Sequence, residues 1–270
     1  MAGMLANPLP GDKSFAIVIQ LQLSETAMKR DIVIVENFYA DPTAVLRYAQ
    51  GLDYVYPYQQ PGTPTASQRI TWRASRYKSA GDCPFKSSAA LIASLQALTG
   101  ETIDRDAWNC DFPVDASGYP TPDHRSVMQK SAWWNCCFHA KSDQQQKLGA
   151  GVHSHTDHDS WNPVGMDGWA GLIYFHHGSV DPQTGLRTWA NRDPRRQFDW
   201  MTPSSEWILQ DTLANVHNRL ILHRGRVPHS GANGWGSSWE DARLFQTFFF
   251  RVKQTDNVES LTPKDLRLPA

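Results

Sequence analysis

The segment Gly151-Val-His-Ser-His-Thr-Asp-His-Asp-Ser160 carries three histidines and two aspartates, and five of the ten histidines of the chain lie between His153 and His177. Any one of these side chains reads most simply as a solvated loop residue. A run of them beside an apolar stretch is harder to place. Each imidazole or carboxylate needs a partner once buried, and a cation is the partner that satisfies several together. The segment is therefore a candidate metal site, and residues far along the chain decide which metal.

Two arrangements compete. In the first, His155 and Asp157 are i and i+2 on an extended chain, face the same way about 7 Å apart at Cα, and meet one ion. His229, in Arg219-Leu-Ile-Leu-His-Arg-Gly-Arg-Val-Pro-His-Ser-Gly231, follows a strand and a turn and completes a face of two histidines and one carboxylate. Such a face leaves positions open and suits Fe(II) that activates dioxygen. In the second, His153-Ser-His-Thr-Asp-His158 is similar to the HxHxDH string of the metallo-β-lactamase superfamily, which would make a binuclear zinc hydrolase of residues 153–158 and His229. That string would be followed by a helix. Here Pro163, Gly165 and Gly168 follow and disfavour one, and Asp211 is only a loose candidate for a bridging carboxylate.

Arg243 weighs for iron. It lies beyond His229 and opens the apolar run Arg-Leu-Phe-Gln-Thr-Phe-Phe-Phe250. An isolated arginine at a strand start could snorkel to solvent. A buried guanidinium instead calls for an anion, and a carboxylate matches its fork. Beside His155, Asp157 and His229 the buried, anion-paired arginine takes precedence over the snorkelling one.

The elements that must position these groups fall into two halves. Phe15 to Leu23 alternates as a half-buried strand and Asp31 to Phe38 is a second strand. Asp41-Pro42 caps and starts a helix to Gln50, and Ser87 to Leu98, closed by Gly100, is another. Tyr54 to Gln68, rich in Pro, Tyr, Gln and Gly, reads as a long loop able to cover a pocket. From Ser131 on come short runs: Ala132 to His139, Trp169 to Phe175, Leu186 to Ala190, Arg219 to His223 and Arg243 to Val252. Turn-rich stretches such as Val180 to Gly185 and Ser230 to Ser238 separate them, the punctuation of an antiparallel sandwich or barrel. One domain over 1–270 is expected, helices and lid loop mainly in 31–100 and the β core about 131–252.

Composition narrows the partners. With 26 basic and 27 acidic side chains, a net charge of -1 and 40% hydrophobic residues, the chain is an ordinary globule with no general attraction for nucleic acid or anionic membranes. No apolar run approaches the roughly 20 residues that span a bilayer. Met1 to Ser14 lacks a leader pattern, so a cytoplasmic location is expected. Cys83, Cys110, Cys136 and Cys137 are too few and irregular for a disulfide framework and read as thiols.

Taken together, His155-Thr-Asp157, Trp169-Ala-Gly-Leu-Ile-Tyr-Phe175, Thr184-Gly-Leu-Arg-Thr-Trp189, His229-Ser-Gly231 and Arg243 resemble the Fe(II)/2-oxoglutarate-dependent dioxygenases. The entry Asp31-Ile-Val-Ile-Val-Glu-Asn-Phe-Tyr-Ala-Asp-Pro42 looks like their prolyl-hydroxylase-like branch. The resemblance implies a mostly β fold with flanking helices around a double-stranded β-helix (jelly roll, cupin-like) core. It implies that His155, Asp157 and His229 bind Fe(II), that Arg243 pairs with the far carboxylate of 2-oxoglutarate, and that the open positions take the 2-oxo acid and O2. Asn135 could donate to the cosubstrate, or be a plain strand polar residue. His153 and His158 would flank the ligands. Asp157 leaves no place for a chloride ligand, so hydroxylation is the default outcome, with desaturation or ring closure open. The substrate expected is a small polar molecule, an amino acid or natural-product intermediate, with Arg73 and Trp133 as contacts and the protein a monomer or weak homodimer. The non-enzymatic alternative is a β-sandwich binding module whose histidines take up metal adventitiously.

Overall fold

The structure, a computed structural model, describes residues 31–52, 54–55, 72–75, 83–108, 135–141, 151–155, 164–175, 184–193, 195, 202–231, 235 and 243–253. The strand expected over Phe15 to Leu23, the body of the loop after Val55, and Cys110, Trp133, Asp157 and His158 lie outside these residues.

Local chemistry starts the helices where the sequence places them. Helix α1 (Pro42–Gln50) begins where the Asp41 carboxylate accepts from the Ala44 N–H at 2.9 Å, with Pro42 in the first turn. In α3 (Ala89–Thr99) the Ser88 hydroxyl accepts from Leu91 N at 3.1 Å, and Gly100 ends the helix at φ 71°. Leu91, Ile92 and Leu95 of α3 and Val45 and Ala49 of α1 are buried. Two one-turn helices, α2 (Pro84–Ser87) and α4 (Arg105–Trp108), were not expected. Among the described residues no helix is long and apolar enough to cross a membrane.

Among the described residues ten strands run in chain order: β1 (Ile32–Val35), β2 (Tyr54–Val55), β3 (Trp72–Ser75), β4 (Phe138–Lys141), β5 (Trp169–Tyr174), β6 (Leu186–Asn191), β7 (Trp207–Leu213), β8 (Leu220–Arg224), β9 (His229–Gly231) and β10 (Arg243–Phe250). One sheet has the order β1-β8-β5-β10-β4-β3-β2, the other β7-β6-β9. Every pairing between these ten strands is antiparallel. His153 bridges to His229, laying residues 151–155 along the free edge of β9. From β4 onward the chain passes between the sheets in the order large, small (151–155), large, small, small, large, small, large. The fold is thus mostly β with flanking helices, and its core is a double-stranded β-helix.

The expectation that helices come early and the sheet late is corrected at both edges. β1 pairs with β8 through Ile32 opposite His223, while β2 and β3 extend the sheet beyond β4. Tyr54-Val55, read as the start of a loop, is a strand, and β7 was missed.

Alternation divides the large sheet into two faces. Trp169, Ile173, Phe175, Leu220, Leu222, Phe248 and Phe250 pack with Val45, Leu91, Ile92 and Leu95 of the helices. Leu172, Tyr174 and Ile221 face the small sheet and pack with Leu186, with Leu213 and Phe245 beside them. The second cluster is small. Its place between the sheets is shared with polar side chains.

Candidate metal centre

Those polar groups come from both sheets. On the small sheet, His153 and His229 are directly paired: His153 N donates to His229 O at 3.0 Å and His229 N to His153 O at 2.8 Å. His155, two residues on, projects to the same side. The ligand atoms of His153, His155 and His229 all lie within 4.8 Å of one another. His155 is 4% exposed and His229 6%, whereas His153 is exposed. On the large sheet His223 is 2% exposed, with its ring 4.0 Å from that of His229 and 6.4 Å from that of His155. Its row across the sheet runs His223, Ala170, Phe249. The small Ala170 therefore leaves room between the His223 and Phe249 rings, and Phe249 lies 5.6 Å from the His155 ring.

Backbone carbonyls orient these rings. Nδ1 of His153 meets Gly151 O at 3.0 Å, Nδ1 of His223 meets Arg224 O at 3.0 Å and Nδ1 of His229 meets Val227 O at 2.9 Å. A carbonyl only accepts, so each proton sits on Nδ1 and each lone pair on Nε2, the arrangement a metal ligand requires. Burial pushes the His229 imidazole well below its ordinary range, and the positive charge that His223, His153 and His155 would carry pushes the same way. Burial likewise takes His223 down to about 3, against the opposing pull of the Arg224 carbonyl. Burial thus favours the neutral form of His223 and His229.

Glycine makes the approach possible. His155 N donates to Gly225 O at 2.7 Å. A Cβ on Gly225 would stand 1.9 Å from Gly165 O and 3.2 Å from the His155 Cβ.

Arg243 is 1% exposed. Its Nη2 donates to the Tyr174 hydroxyl at 3.2 Å, and its guanidinium carbon lies 4.9 Å from the Phe245 ring centre, 5.2 Å from Tyr174 and 5.8 Å from Trp235. The guanidinium reaches the small sheet: a Cβ on Gly231 would be 3.8 Å from Nη1. Gly231 and His229 are i and i+2 on β9, so the cation sits about 7 Å along the cleft from the imidazoles. Burial pushes the Tyr174 phenol up, partly offset by Arg243.

Of the residues singled out in the sequence, His155, His229 and Arg243 are brought together, and His153 joins them. Asn135 has a different setting. It is fully buried in a turn before β4, where Oδ1 accepts from Phe249 N at 3.1 Å and from Cys136 Sγ at 3.7 Å, and Nδ2 faces Trp108 O at 3.5 Å. Its amide ties β10 to the end of α4. Arg73 lies on β3 opposite Ala140, toward the far edge of the large sheet. Cys83, Cys136 and Cys137 are free thiols. His223, Ala170 and Gly225 were not anticipated; the one available signal was a polar residue at an inward position of the otherwise aliphatic Leu220-Ile-Leu-His223.

The binuclear arrangement is not favoured. Asp211 lies on β7 opposite Thr188, which in turn lies opposite His229, two strand spacings or about 10 Å from that histidine. Its carboxylate is exposed and accepts from Thr188 Oγ1 at 3.3 Å.

No family model matches the chain and no curated relative is found. Solved structures are similar to it at low identity. An oxidoreductase of the 2OG-Fe(II) oxygenase family from Burkholderia pseudomallei is 12% identical with TM-score 0.42, covering 82% of this chain and 84% of its own. HygX from Streptomyces hygroscopicus, with nickel, 2-oxoglutarate and hygromycin B bound, is 13% identical with TM-score 0.38 over 82% and 83%. A prolyl-4-hydroxylase from Pseudomonas putida is 14% identical with TM-score 0.29 over 83% and 89%. These are likenesses only, and the chain's own strand order carries its fold.

Proposed function

We propose that this chain is a non-heme Fe(II)/2-oxoglutarate-dependent oxygenase of the prolyl-hydroxylase-like branch, oxidising a small polar substrate, an amino acid or natural-product intermediate, as a monomer or weak homodimer. The observation that carries the reading is one cleft between two sheets in which ligand atoms of His153, His155 and His229 lie within 4.8 Å of one another and a buried guanidinium stands about 7 Å further along. The donor set fits a divalent first-row ion, since imidazole nitrogen suits such ions and three of these rings converge at the edge of the cleft.

His155 and His229 would hold the metal, with Asp157 or His153 as third ligand. Arg243, with the Tyr174 hydroxyl beside it, would take the far carboxylate of 2-oxoglutarate and so fix the direction of that molecule in the cleft. Phe249, Ala170 and Ile221 exclude water on the side of the large sheet. Bound there with 2-oxoglutarate, Fe(II) would supply activation of dioxygen coupled to oxidative decarboxylation of the cosubstrate; hydroxylation is the expected outcome, with desaturation or cyclisation as variants. Arg73 and Trp133 remain substrate contacts of this proposal. Under nitrogen, Fe(II) and 2-oxoglutarate together should produce a weak visible charge-transfer band, and admission of oxygen should release succinate. A folded protein that binds Fe(II) yet gives neither band nor succinate would refute the reading.

A further inference from the structure

We infer that Asp211 is the anchor for the substrate, a carboxylate at the mouth of the cleft that binds an ammonium or guanidinium group of the molecule to be oxidised. The inference deepens the reading above by naming the class of substrate, and rests on its placing a metal at the histidines. Register across the small sheet carries it. Asp211 on β7 lies opposite Thr188 on β6, and Thr188 lies opposite His229 on β9, which pairs in turn with His153. Residues directly opposite one another project to one face, so the four side chains form one row. That face is the one turned to the cleft: two residues along the same strands, Leu213 and Leu186 pack with Leu172, Tyr174 and Ile221 of the large sheet. The carboxylate therefore stands in the row of the metal cluster, two strand spacings or about 10 Å from His229.

Three features set it apart from a solvated edge residue. Thr188 is 3% exposed, and its hydroxyl donates to Asp211 Oδ2 at 3.3 Å, which holds the carboxylate toward the cleft. Directly after this pair the register shifts, so that Trp189 is opposite Leu209 and Gln210 is the extra residue. Such a bulge bends the strand and re-aims its side chains. Among the described residues no ion pair joins Asp211 to a basic side chain, whereas Asp31, Glu36, Glu101, Asp167 and Asp193 are each paired with an arginine. An exposed carboxylate with one neutral donor has lone pairs to spare for a cation entering from solvent. Charge then sorts the two molecules in the cleft. Arg243 reaches Gly231, which lies opposite Leu186 in the neighbouring row, and there it attracts the dianionic cosubstrate and repels a cation. Asp211 does the reverse. A short aliphatic amine spans the distance between this carboxylate and the metal.

The test is calorimetric binding of pentylamine against pentanol, and of L-lysine against L-norleucine, to the chain loaded with Co(II) and 2-oxoglutarate under nitrogen, which prevents turnover. Within each pair the molecule with the extra ammonium should bind more tightly by about ten- to a hundredfold, the range of a hydrogen bond to a charged group. Asp211→Asn keeps the size of the side chain and an acceptor for Thr188; it should remove the preference and leave the affinity for pentanol unchanged. Thr188→Val, which frees the carboxylate to turn away, should remove part of it. Added salt should shrink the preference in the unaltered chain. Circular dichroism and Co(II) content of each variant check folding and metal loading. A further readout needs no variant: Co(II) should broaden the proton resonances of pentylamine more at its methyl end than beside the nitrogen. Equal binding within each pair, a preference that survives Asp211→Asn, or broadening strongest beside the nitrogen overturns the inference. Its failure is separable from that of the oxygenase reading. Amine binding that Asp211→Asn abolishes, without succinate release once oxygen is admitted, keeps the inference and loses the reading; succinate release that neutral molecules stimulate as well as amines does the reverse.

Discussion

Gly225→Ala is the sharpest perturbation of the centre that touches no ligand. The new Cβ would lie 1.9 Å from Gly165 O, where real Cβ atoms are never found closer than 3.0 Å, so the backbones must part by at least 3.0 − 1.9 = 1.1 Å. Three hydrogen bonds resist: Gly225 N to Gly168 O at 2.9 Å, Arg226 N to Met166 O at 3.0 Å and His155 N to Gly225 O at 2.7 Å. Losing two of them costs about 2 kcal/mol. Overpacking adds about 1–3 kcal/mol. A loss of about 3–5 kcal/mol lowers the melting midpoint of a chain of this size by roughly 6–20 °C. Because one of the strained bonds anchors His155, Co(II) affinity should also fall by at least about tenfold, as a ligand displaced by about 1 Å no longer meets the ion. Urea unfolding and Co(II) titration read the two effects separately. Gly100→Ala is the control. Unlike Gly225 it has a positive φ, 71°, but nothing lies within 4 Å of the added Cβ, so the change should cost only about 1 kcal/mol and leave metal binding alone. Gly225→Ala with an unchanged midpoint and unchanged affinity would refute the close-approach argument.

Other outcomes follow from the same geometry. Arg243→Gln should weaken 2-oxoglutarate binding by about 30- to 3,000-fold, the cost of leaving one partner of a buried charge pair alone, with Co(II) affinity nearly unchanged; titration of the tryptophan fluorescence reads it. His158→Ala should leave one metal per chain with unaltered affinity, and a halved metal content would revive the binuclear zinc arrangement. Burial holds His139 and His223 down to about 3, so both are neutral in the folded apoprotein. Unfolded histidines titrate near 6.5, so these two contribute stability that is fully present above about pH 6.5 and lost as pH falls toward about 3, each at about 1.4 kcal/mol per pH unit. His139→Leu should shallow that slope by one proton between about pH 4 and 6, measured by urea unfolding. Asn218→Ala should cost about 2–4 kcal/mol, since that buried side chain, on a residue at φ 59°, donates to Tyr39 O at 2.7 Å and accepts from Tyr39 N at 2.9 Å.

The sequence alone was enough to show α1 in full, α3 to within two residues, and strands β1, β5, β6, β8 and β10, because capping side chains and runs of one hydrophobic period act locally. β7 escaped because Trp207-Ile-Leu-Gln-Asp-Thr-Leu213 does not alternate: it is the outer strand of the small sheet, with Ile208 to Asp211 exposed, so no burial imposes a period on it. β2, at the edge of the large sheet, and β3 beside it are too short to carry a signal. Arg243 was legible as a buried cation, since an apolar strand either covers an arginine or gives it an anion.

What the sequence could not decide is which imidazoles share a point. Spacing within 153–158 allows several ligand pairs, and only the register of residues 151–155 on β9 sets His153 opposite His229. Only the winding of the chain brings His223 and Arg243 from the second sheet to face them. Residue type and local period are properties of a few neighbouring positions, whereas a coordination site depends on the distance between strands that are far apart in sequence, which packing alone determines.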